Sequence, residues 1–275
     1  MHVHAQTVAR PLLSFLTSVP APLRVLSVHR HVCNLLLASG EVLALVHPAL
    51  GEGPFHVVLA EPVPFEAVCA KSAPGTATGE QVVVGELQVY LGAAQVWDPT
   101  PRWSESREVL VRGKAILAPL LAGAPPDALV AAVNERVQEA LAAWRQRGGC
   151  AAGMVHLARA LAGLGPGLTP AGDDVLLGLL AAWHACRAAA CMPDATPPGP
   201  VVVQVAQGRT TRLSAAWLRH AAAGRFAAAW HRLARALAEQ NPAEVARAGE
   251  GIMHTGASSG YYGLWGFVAG LEGFL

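Results

Sequence analysis

The stretch Gly165-Pro166-Gly167-Leu168-Thr169-Pro170-Ala171-Gly172-Asp173-Asp174 joins a loop rich in glycine and proline to a long apolar segment. Thr169 is a favourable N-cap residue, and Pro170 suits the first helical position, where the missing N–H of proline costs nothing. Residues 175–186 contain no Asp, Glu, Lys or Arg, which predicts a helix buried on most sides. We therefore expect a buried helix that is capped by Thr169 and ends near Pro193.

The loop before this helix has the features of an anion site. Gly165 and Gly167 allow positive φ or a close approach to a ligand, and the start of a helix attracts anions through its free N–H groups and its dipole. Asp173 and Asp174 project about 100° apart around the helix axis. One of them is expected to face a ligand as a general base, a metal ligand or an acceptor for a substrate amide. The alternative is that both acids only complement the dipole of a capped helix.

Two other segments share this construction. Residues 208–214 read Gly-Arg-Thr-Thr-Arg-Leu-Ser and residues 254–260 read His-Thr-Gly-Ala-Ser-Ser-Gly, each just before a predicted helix. Three such loops suggest that several helix N-termini point into one cavity, with an arginine guanidinium to bind two oxygens of a carboxylate or phosphate. The alternatives are a plain helix cap at residues 210–211 and a flexible turn at residues 258–259.

The candidate catalytic residues are therefore Asp173 and Asp174. The candidate anion- or substrate-binding residues are Gly165, Gly167, Thr169, Gly172, Arg209, Thr210, Thr211, Arg212, Ser214, His254, Ser258, Ser259 and Gly260.

Composition excludes several classes of protein. Hydrophobic residues make up 53% of the 275 residues and charged residues 14%, so a disordered chain is excluded. The net charge of +1 and the lack of a Lys/Arg block give no reason to expect nucleic acid. The five cysteines and eleven histidines show no zinc-binding spacing, and neither a Walker motif nor a dinucleotide-binding Gly-x-Gly-x-x-Gly after a strand is present, so neither a metal nor a cofactor is expected. The absence of a leader-like start and of a long apolar run predicts a cytoplasmic protein that does not bind membranes.

The chain changes character near residue 100. Residues 1–100 carry strand patterns at 23–39 and 41–47, joined by a hairpin at Ser39-Gly40, and at 55–60, 81–84 and 87–91, which predict a small barrel or sandwich. Residues 101–275 carry helical patterns. Besides the Thr169 helix, they cover 104–121 with Ser104 as cap, 126–147, 151–161, 214–223, 226–240, 242–248 and 261–275, while 201–206 fits a strand or a helix. The prediction is an α+β protein with a β-rich domain, 1–100, and a helical domain, 101–275, that carries the three loops.

The sequence of the first loop also resembles that of a known family. The stretch Gly-Leu-Gly-Pro-Gly-Leu-Thr-Pro-Ala-Gly-Asp-Asp at residues 163–174 resembles the signature of the AllH-like proteins, and residues 210–214 and 258–260 are similar to two further blocks of that family. The family is named after a subunit of an oxamate carbamoyltransferase of purine (allantoin) breakdown, which interconverts oxalurate plus phosphate with oxamate plus carbamoyl phosphate. The resemblance implies carbamoyl transfer chemistry, or membership of a multisubunit complex that performs it.

Three functions remain open at this point. The first is a carbamoyltransferase subunit that binds a small carboxylate-amide and phosphate, in which helix N-termini stabilise developing negative charge. The second is a non-catalytic subunit that binds an anion and docks other proteins, or further copies of this chain. The third, a metal hydrolase built on the two aspartates, is disfavoured because adjacent acids on one helix supply few convergent ligands.

Overall fold

The computed structural model describes residues 1–122, 128–192 and 195–275. They divide into two compact units, Met1–Pro99 and Thr100–Leu275. In the described part of the chain, none of the helices combines the length and the apolar character needed to cross a membrane.

The first unit, all of whose residues are described, is built from β-strands around an apolar interior. The strands are β1 (His2–Ala9), β2 (Ala21–His29), β3 (Val32–Leu37), β4 (Val42–Val46), β5 (His56–Leu59), β6 (Pro74–Ala77), β7 (Gln81–Val84), β8 (Leu87–Tyr90) and β9 (Gln95–Trp97). A single helical turn, α1 (Phe65–Val68), separates β5 from β6. Alternation is clear in β1, where Val3 and Ala5 are buried while His2, His4 and Gln6 are exposed, as expected for a strand with one face toward a core.

The sheet closes into a barrel through β1. One edge of β1 pairs with β5 in antiparallel orientation, and its other edge pairs with β8 in parallel orientation. The strand order β5-β4-β3-β2-β6-β7-β8-β1 therefore returns to β5. The ninth strand, β9, continues beyond β8 along the second half of β1. The predicted fold class, a β-rich barrel or sandwich followed by helices, is confirmed, and the β-rich part is a barrel of eight strands with one extra strand.

One strand prediction was wrong in its extent. The predicted strand 23–39 is two strands, β2 and β3, which fold back at Arg30-His31 and pair His29 with Val32. Neither residue of this turn is Gly, Pro, Asn or Asp, so no typical turn residue marks it. The predicted hairpin at Ser39-Gly40 is confirmed between β3 and β4, and Gly40 has a φ of +86°.

The second unit is helical. Its α-helices are α2 (Arg107–Leu117), α3 (Ala128–Gln146), α4 (Met154–Leu161), α5 (Ala171–Ala188), α6 (Gly199–Ala206), α7 (Arg212–Ala222), α8 (Ala228–Ala238), α9 (Pro242–Met253) and α10 (Ser259–Phe274). Residues 201–206, which fit either a strand or a helix by sequence, therefore belong to a helix. The predicted helix start at Pro126 lies outside the described residues.

Helices α5 and α10 form the centre of this unit, and their backbones pack without side chains between them. A Cβ atom added to Gly178 would lie 1.9 Å from the carbonyl oxygen of Gly263, and one added to Gly266 would lie 2.1 Å from that of Val175. Fourteen of the eighteen residues of α5 are buried, so the prediction of a helix buried on most sides is confirmed. The glycines of α10 thus allow it to pack closely against α5.

Several predicted helix boundaries were wrong. Helix α5 begins at Ala171 with Pro170 in the N-cap position, because the Pro170 carbonyl accepts the N–H groups of Asp173 and Asp174 at 2.9 and 3.2 Å. Thr169 therefore does not cap this helix. The helix ends at Ala188, and Pro193, its predicted end, lies outside the described residues.

Ser104 was also a wrong cap prediction. The N-cap of α2 is Ser106, whose Oγ accepts the Val109 N–H.

Candidate functional site

Hydrogen bonds connect the three predicted loops. The Thr211 hydroxyl donates to the carbonyl oxygen of Leu168, which joins the loop at 208–214 to the loop at 165–174. The hydroxyls of Thr169 and Ser259 lie 2.8 Å apart, which joins the first loop to the loop at 254–260. We call the place where these loops meet the loop junction. The segments are up to 90 residues apart in the chain.

Asp173 holds the loop junction together from inside. Its side chain is 1% exposed. Its Oδ1 accepts the Gly163 N–H at 2.9 Å, and its Oδ2 accepts the Ser214 hydroxyl at 2.8 Å and also the Thr210 hydroxyl. The three donors come from two separate segments, and hydrogen bonds to a carboxylate are about twice as strong as neutral ones. Two residues predicted to bind an anion, Thr210 and Ser214, therefore bind the Asp173 carboxylate instead.

Asp174 has the opposite environment. It is 8% exposed, and its Oδ2 has no hydrogen-bond partner among the described residues. Burial raises the pKa of its carboxyl well above the usual range; a hydrogen bond from the Ser259 side chain opposes this rise, and the nearby charge of Asp173 adds to it. Of the two adjacent acids, Asp174 is thus the one whose carboxyl is not saturated by the protein.

Residues of α10 lie beside Asp174. Tyr262 is 1% exposed, and its hydroxyl donates to Oδ1 of Asn134 on α3 at 2.9 Å. Burial raises the pKa of the Tyr262 phenol, and the charges of Tyr261 and Asp174 raise it further. The Tyr262 phenol thus lies close enough to Asp174 to interact electrostatically with it. Its hydroxyl donates to Asn134, so it does not donate a hydrogen bond to the Asp174 carboxyl.

Several N–H groups at the helix starts already have protein partners. The Gly172 N–H donates to the Leu164 carbonyl at 2.9 Å, and the Gly260 N–H donates to the Thr255 carbonyl at 2.9 Å. The Ser214 N–H donates to the Thr211 hydroxyl at 3.0 Å, so Thr211 is an N-cap of α7. The simple-cap interpretation of residues 210–211 therefore holds for Thr211, whereas Thr210 binds Asp173.

Two of the candidate glycines are required by packing. A Cβ on Gly172 would lie 2.0 Å from the Leu161 carbonyl oxygen, and one on Gly260 would lie 1.8 Å from that of Ile252. Gly165 and Gly167 have φ values of +105° and +96°, and the space around a Gly167 Cβ is open to 4 Å. At Gly167 the positive φ, and not a lack of space, favours glycine, and the backbone beside it is open.

The charged candidates are exposed side chains. The Arg209 guanidinium donates to the Arg159 carbonyl at 2.9 Å and is exposed, and Arg212 is exposed on the first turn of α7. His254 is exposed, with its Nδ1 2.7 Å from the Glu250 carbonyl oxygen on α9. Ser258 precedes α10 as its N-cap residue, without a side-chain capping bond. The structure thus joins Thr169 to Ser259 and Thr211 to the Leu168 carbonyl, and it shows no such contact for these charged side chains among the described residues.

Two residues in the surroundings of the two aspartates were not predicted from the sequence. The Gly163 N–H binds Asp173, and Gly163 has positive φ, as do Gly165 and Gly167. The alternation Gly-x-Gly-x-Gly could have indicated a contorted backbone before a helix. Asn134 lies 128 residues from Tyr262, and nothing in the helical pattern of α3 distinguishes it.

Other possible sites lie elsewhere or are not formed. A cavity of about 290 Å³ lies between α2, α8 and α9 and is lined mainly by apolar residues such as Ile116 and Leu237; its lining includes no residue of the three loops. Among the residues that the structure describes, no three His, Cys, Asp or Glu side chains are grouped so that they could hold a metal ion.

A known protein family is similar to the region that contains the loop junction. The model of a family described as oxamate carbamoyltransferase subunit AllH matches residues 161–271, which confirms the resemblance seen in the loop sequences. The match includes all three loops and both aspartates. No solved structure matches the chain.

Proposed function

We propose that this chain is a subunit of a carbamoyltransferase that holds a small anion at the loop junction. The observation that carries the proposal is that the three loops meet around Asp173 and Asp174 within the region similar to the AllH subunit. The substrates suggested by this similarity are oxalurate and phosphate in one direction, and oxamate and carbamoyl phosphate in the other. All of them are anions, which helix N-termini and hydroxyl groups can bind.

The reaction needs one proton to move. A phosphate oxygen attacks the carbamoyl carbon of oxalurate, the bond from this carbon to the oxamate nitrogen breaks, and the proton lost by phosphate ends on that nitrogen. The group that moves this proton must be close and must change its protonation state near neutral pH. Asp174 is our candidate, because burial raises the pKa of its carboxyl and its Oδ2 is not saturated by the protein.

The remaining candidates divide into two roles. The hydroxyls of Thr169 and Ser259, together with the backbone at Gly165, Gly167 and Ser258, would contact the oxygens of the anion. The guanidinium groups of Arg209 and Arg212 would attract a substrate carboxylate from the edge of the junction. Asp173 positions the loops and does not itself react, since three internal donors bind it.

The wider setting follows from the same similarity. We propose that the chain works in the cytoplasm as part of a complex with other subunits of allantoin breakdown, or with further copies of itself. Its near-zero net charge favours neither nucleic acid nor an anionic membrane as a partner.

Isothermal titration tests the proposed anion site. Phosphate, oxamate and carbamoyl phosphate are titrated into the chain alone and into the complex assembled with its partner subunits, and urea serves as an uncharged control. We expect saturable heat with oxamate and with at least one of the phosphates, and none with urea. If none of the three anions gives heat or a thermal shift even with the partner subunits present, the proposal is wrong.

A second candidate is a non-catalytic anion-binding or scaffold subunit. The observation that favours it is the saturation of Asp173 by internal hydrogen bonds, which supports a structural role for one of the two acids. Asp174→Asn distinguishes the candidates, because asparagine cannot carry a proton between two substrate groups. In a catalytic subunit this change abolishes turnover of the complex while assembly stays normal; in a scaffold both are unchanged.

A further inference from the structure

A buried oxygen at the loop junction lacks a partner. Asp174 is 92% buried, and its Oδ2 makes no hydrogen bond to any described residue. Such an atom loses its contact with water and gains nothing in return, so it calls for an explanation such as a ligand or a protonated state. The neighbouring acid shows that the fold can saturate a carboxylate here, since three donors bind Asp173.

The hydroxyl groups next to Asp174 leave its buried Oδ2 without a hydrogen-bond partner among the described residues. The Thr169 and Ser259 hydroxyls are within hydrogen-bond distance of each other, and the Ser259 side chain hydrogen-bonds the Asp174 carboxyl. Because Oδ2 lacks a partner, Ser259 serves the other carboxyl oxygen. Thr169 and Ser259 are only half-buried, so their hydroxyls are accessible to an anion, which would then lie near the Asp174 carboxyl that Ser259 binds.

The groups that face Asp174 disfavour a negative charge on it. On its own helix the neighbour is Asp173, whose negative charge repels a second one. From α10 the neighbours are the hydroxyl of Ser259 and the phenol of Tyr262, whose proton is directed to Asn134. The hydroxyls of Ser214 on α7 and of Thr210 in the loop before it both donate to Asp173. An ionised Asp174 would also repel any anion in the junction.

We propose that Asp174 carries a proton on Oδ2 and donates it in a hydrogen bond to a carboxylate or phosphate oxygen of the substrate. This inference rests on the proposed function, because it assumes that an anion binds at the loop junction. The proposal predicts which ligand group Asp174 favours: an oxygen that accepts a hydrogen bond, and not an N–H group that donates one. It also explains how an anion site can contain two adjacent acids, since the proton removes the charge of Asp174 and three internal donors stabilise the charge of Asp173.

Two substitutions at this position separate a donor from an acceptor. Asparagine has the shape of a protonated aspartic acid, with an amide N–H₂ in place of the O–H and a carbonyl that can still accept from Ser259. Oxamate is the probe, because its carboxylate stays ionised throughout the neutral range. We expect the full-length Asp174→Asn chain to bind oxamate within about threefold of the wild type, and Asp174→Ala to bind it at least about tenfold more weakly. Glu244→Gln, which removes an exposed carboxyl on α9, is the control and should bind normally.

The pH dependence gives an independent readout. Wild-type affinity for oxamate should fall as the pH rises through the pKa of Asp174, because the donor is lost and a repelling charge appears, whereas Asp174→Asn should show no such fall. Infrared difference spectra with ¹³C-labelled aspartate should show the carbonyl stretch of a protonated carboxyl in the wild type that Asp174→Asn removes. This measurement needs no ligand and remains decisive if the alanine variant does not fold.

The failures are distinguishable. If the wild type binds no anion, the proposed function fails and this inference fails with it. If the wild type binds oxamate but Asp174→Asn loses as much affinity as Asp174→Ala, Asp174 is an acceptor, and only the inference is overturned. The same holds if the infrared spectra show Asp174 ionised at neutral pH.

Discussion

Two consecutive residues, Asp173 and Asp174, have the same side chain and opposite chemistry. They project in directions about 100° apart on α5, so one meets the hydroxyls before and within α7 and the other meets the start of α10. Donors stabilise the charge of Asp173, while burial disfavours the charge of Asp174. The proton proposed on Asp174 would let the two acids lie side by side without mutual repulsion.

Asp173→Ala should lower the free energy of unfolding by at least about 2 kcal/mol, because the Gly163 N–H and two buried hydroxyls lose their acceptor. Urea unfolding followed by circular dichroism measures it. Glu244→Ala, which breaks only an exposed pair with Arg247, should cost less than about 1 kcal/mol. Equal losses in the two variants would show that Asp173 is not a structural anchor.

The raised pKa of Asp174 makes a signed prediction for stability against pH. Because the folded state holds the proton more tightly than the unfolded chain, the stabilising contribution of Asp174 is complete below the ordinary Asp pKa. It declines as the pH rises toward the folded-state pKa, by at most about 1.4 kcal/mol per pH unit.

Urea unfolding of wild type and Asp174→Asn at a series of pH values checks this. The difference in stability between the two proteins should shift in favour of the asparagine variant as the pH rises. A difference that is constant with pH would mean that Asp174 titrates alike in the folded and unfolded states.

At the scale of elements, the contact between α5 and α10 positions the loop junction. Gly178 and Gly266 allow the two backbones to touch, and the N-termini of both helices then lie beside each other, where Thr169 meets Ser259. The spacing of the helices thus sets the distance between the two hydroxyls.

Gly178→Ala and Gly266→Ala should each destabilise the protein by about 1–3 kcal/mol or more, because the added methyl group collides with a backbone carbonyl. Gly251→Ala on α9 is the matched control, since a Cβ there meets nothing within 4 Å. That control should gain about 0.5–1 kcal/mol from the better helix propensity of alanine. Thermal unfolding measures all three, and a neutral effect at Gly178 and Gly266 would show that the helices can separate.

The elements show what the sequence could predict about this site. Local signals predicted a helix after Pro170 and the hairpin at Gly40, since capping, turn chemistry and periodicity act over a few residues. The meeting of three loops was predicted from their shared composition. The partner of each hydroxyl was not, because Thr169 pairs with a residue 90 positions away and not with its own helix. The split of 23–39 into β2 and β3 was also missed, because the turn there lacks a turn residue.

At the scale of the whole molecule, the site belongs to one of two compact units. Both aspartates and all three loops lie in Thr100–Leu275, and so does the region matched by the AllH family. The division of the chain into a β-rich domain, 1–100, and a helical domain, 101–275, stays a prediction about independent folding.

A fragment of residues 100–275 should therefore fold by itself and bind oxamate with an affinity within about threefold of that of the full chain. Circular dichroism and isothermal titration check the two parts of this statement. The same fragment with Asp174→Ala is the control for specific binding. A fragment that is unfolded would show that the β-rich unit is needed for the stability of the helical one.

The closure of the barrel by its first strand has a consequence for biosynthesis. The strand β1 leaves the ribosome well before its partners β5 and β8, with Ala5 opposite Leu59 and His2 opposite Gln88. Until those residues have been translated, the nascent chain displays an alternating apolar segment with both hydrogen-bonding edges open, the kind of segment that pairs with other chains. Pairs so distant in sequence also close slowly, so chaperone capture of the newborn chain should be most frequent just before β8 emerges.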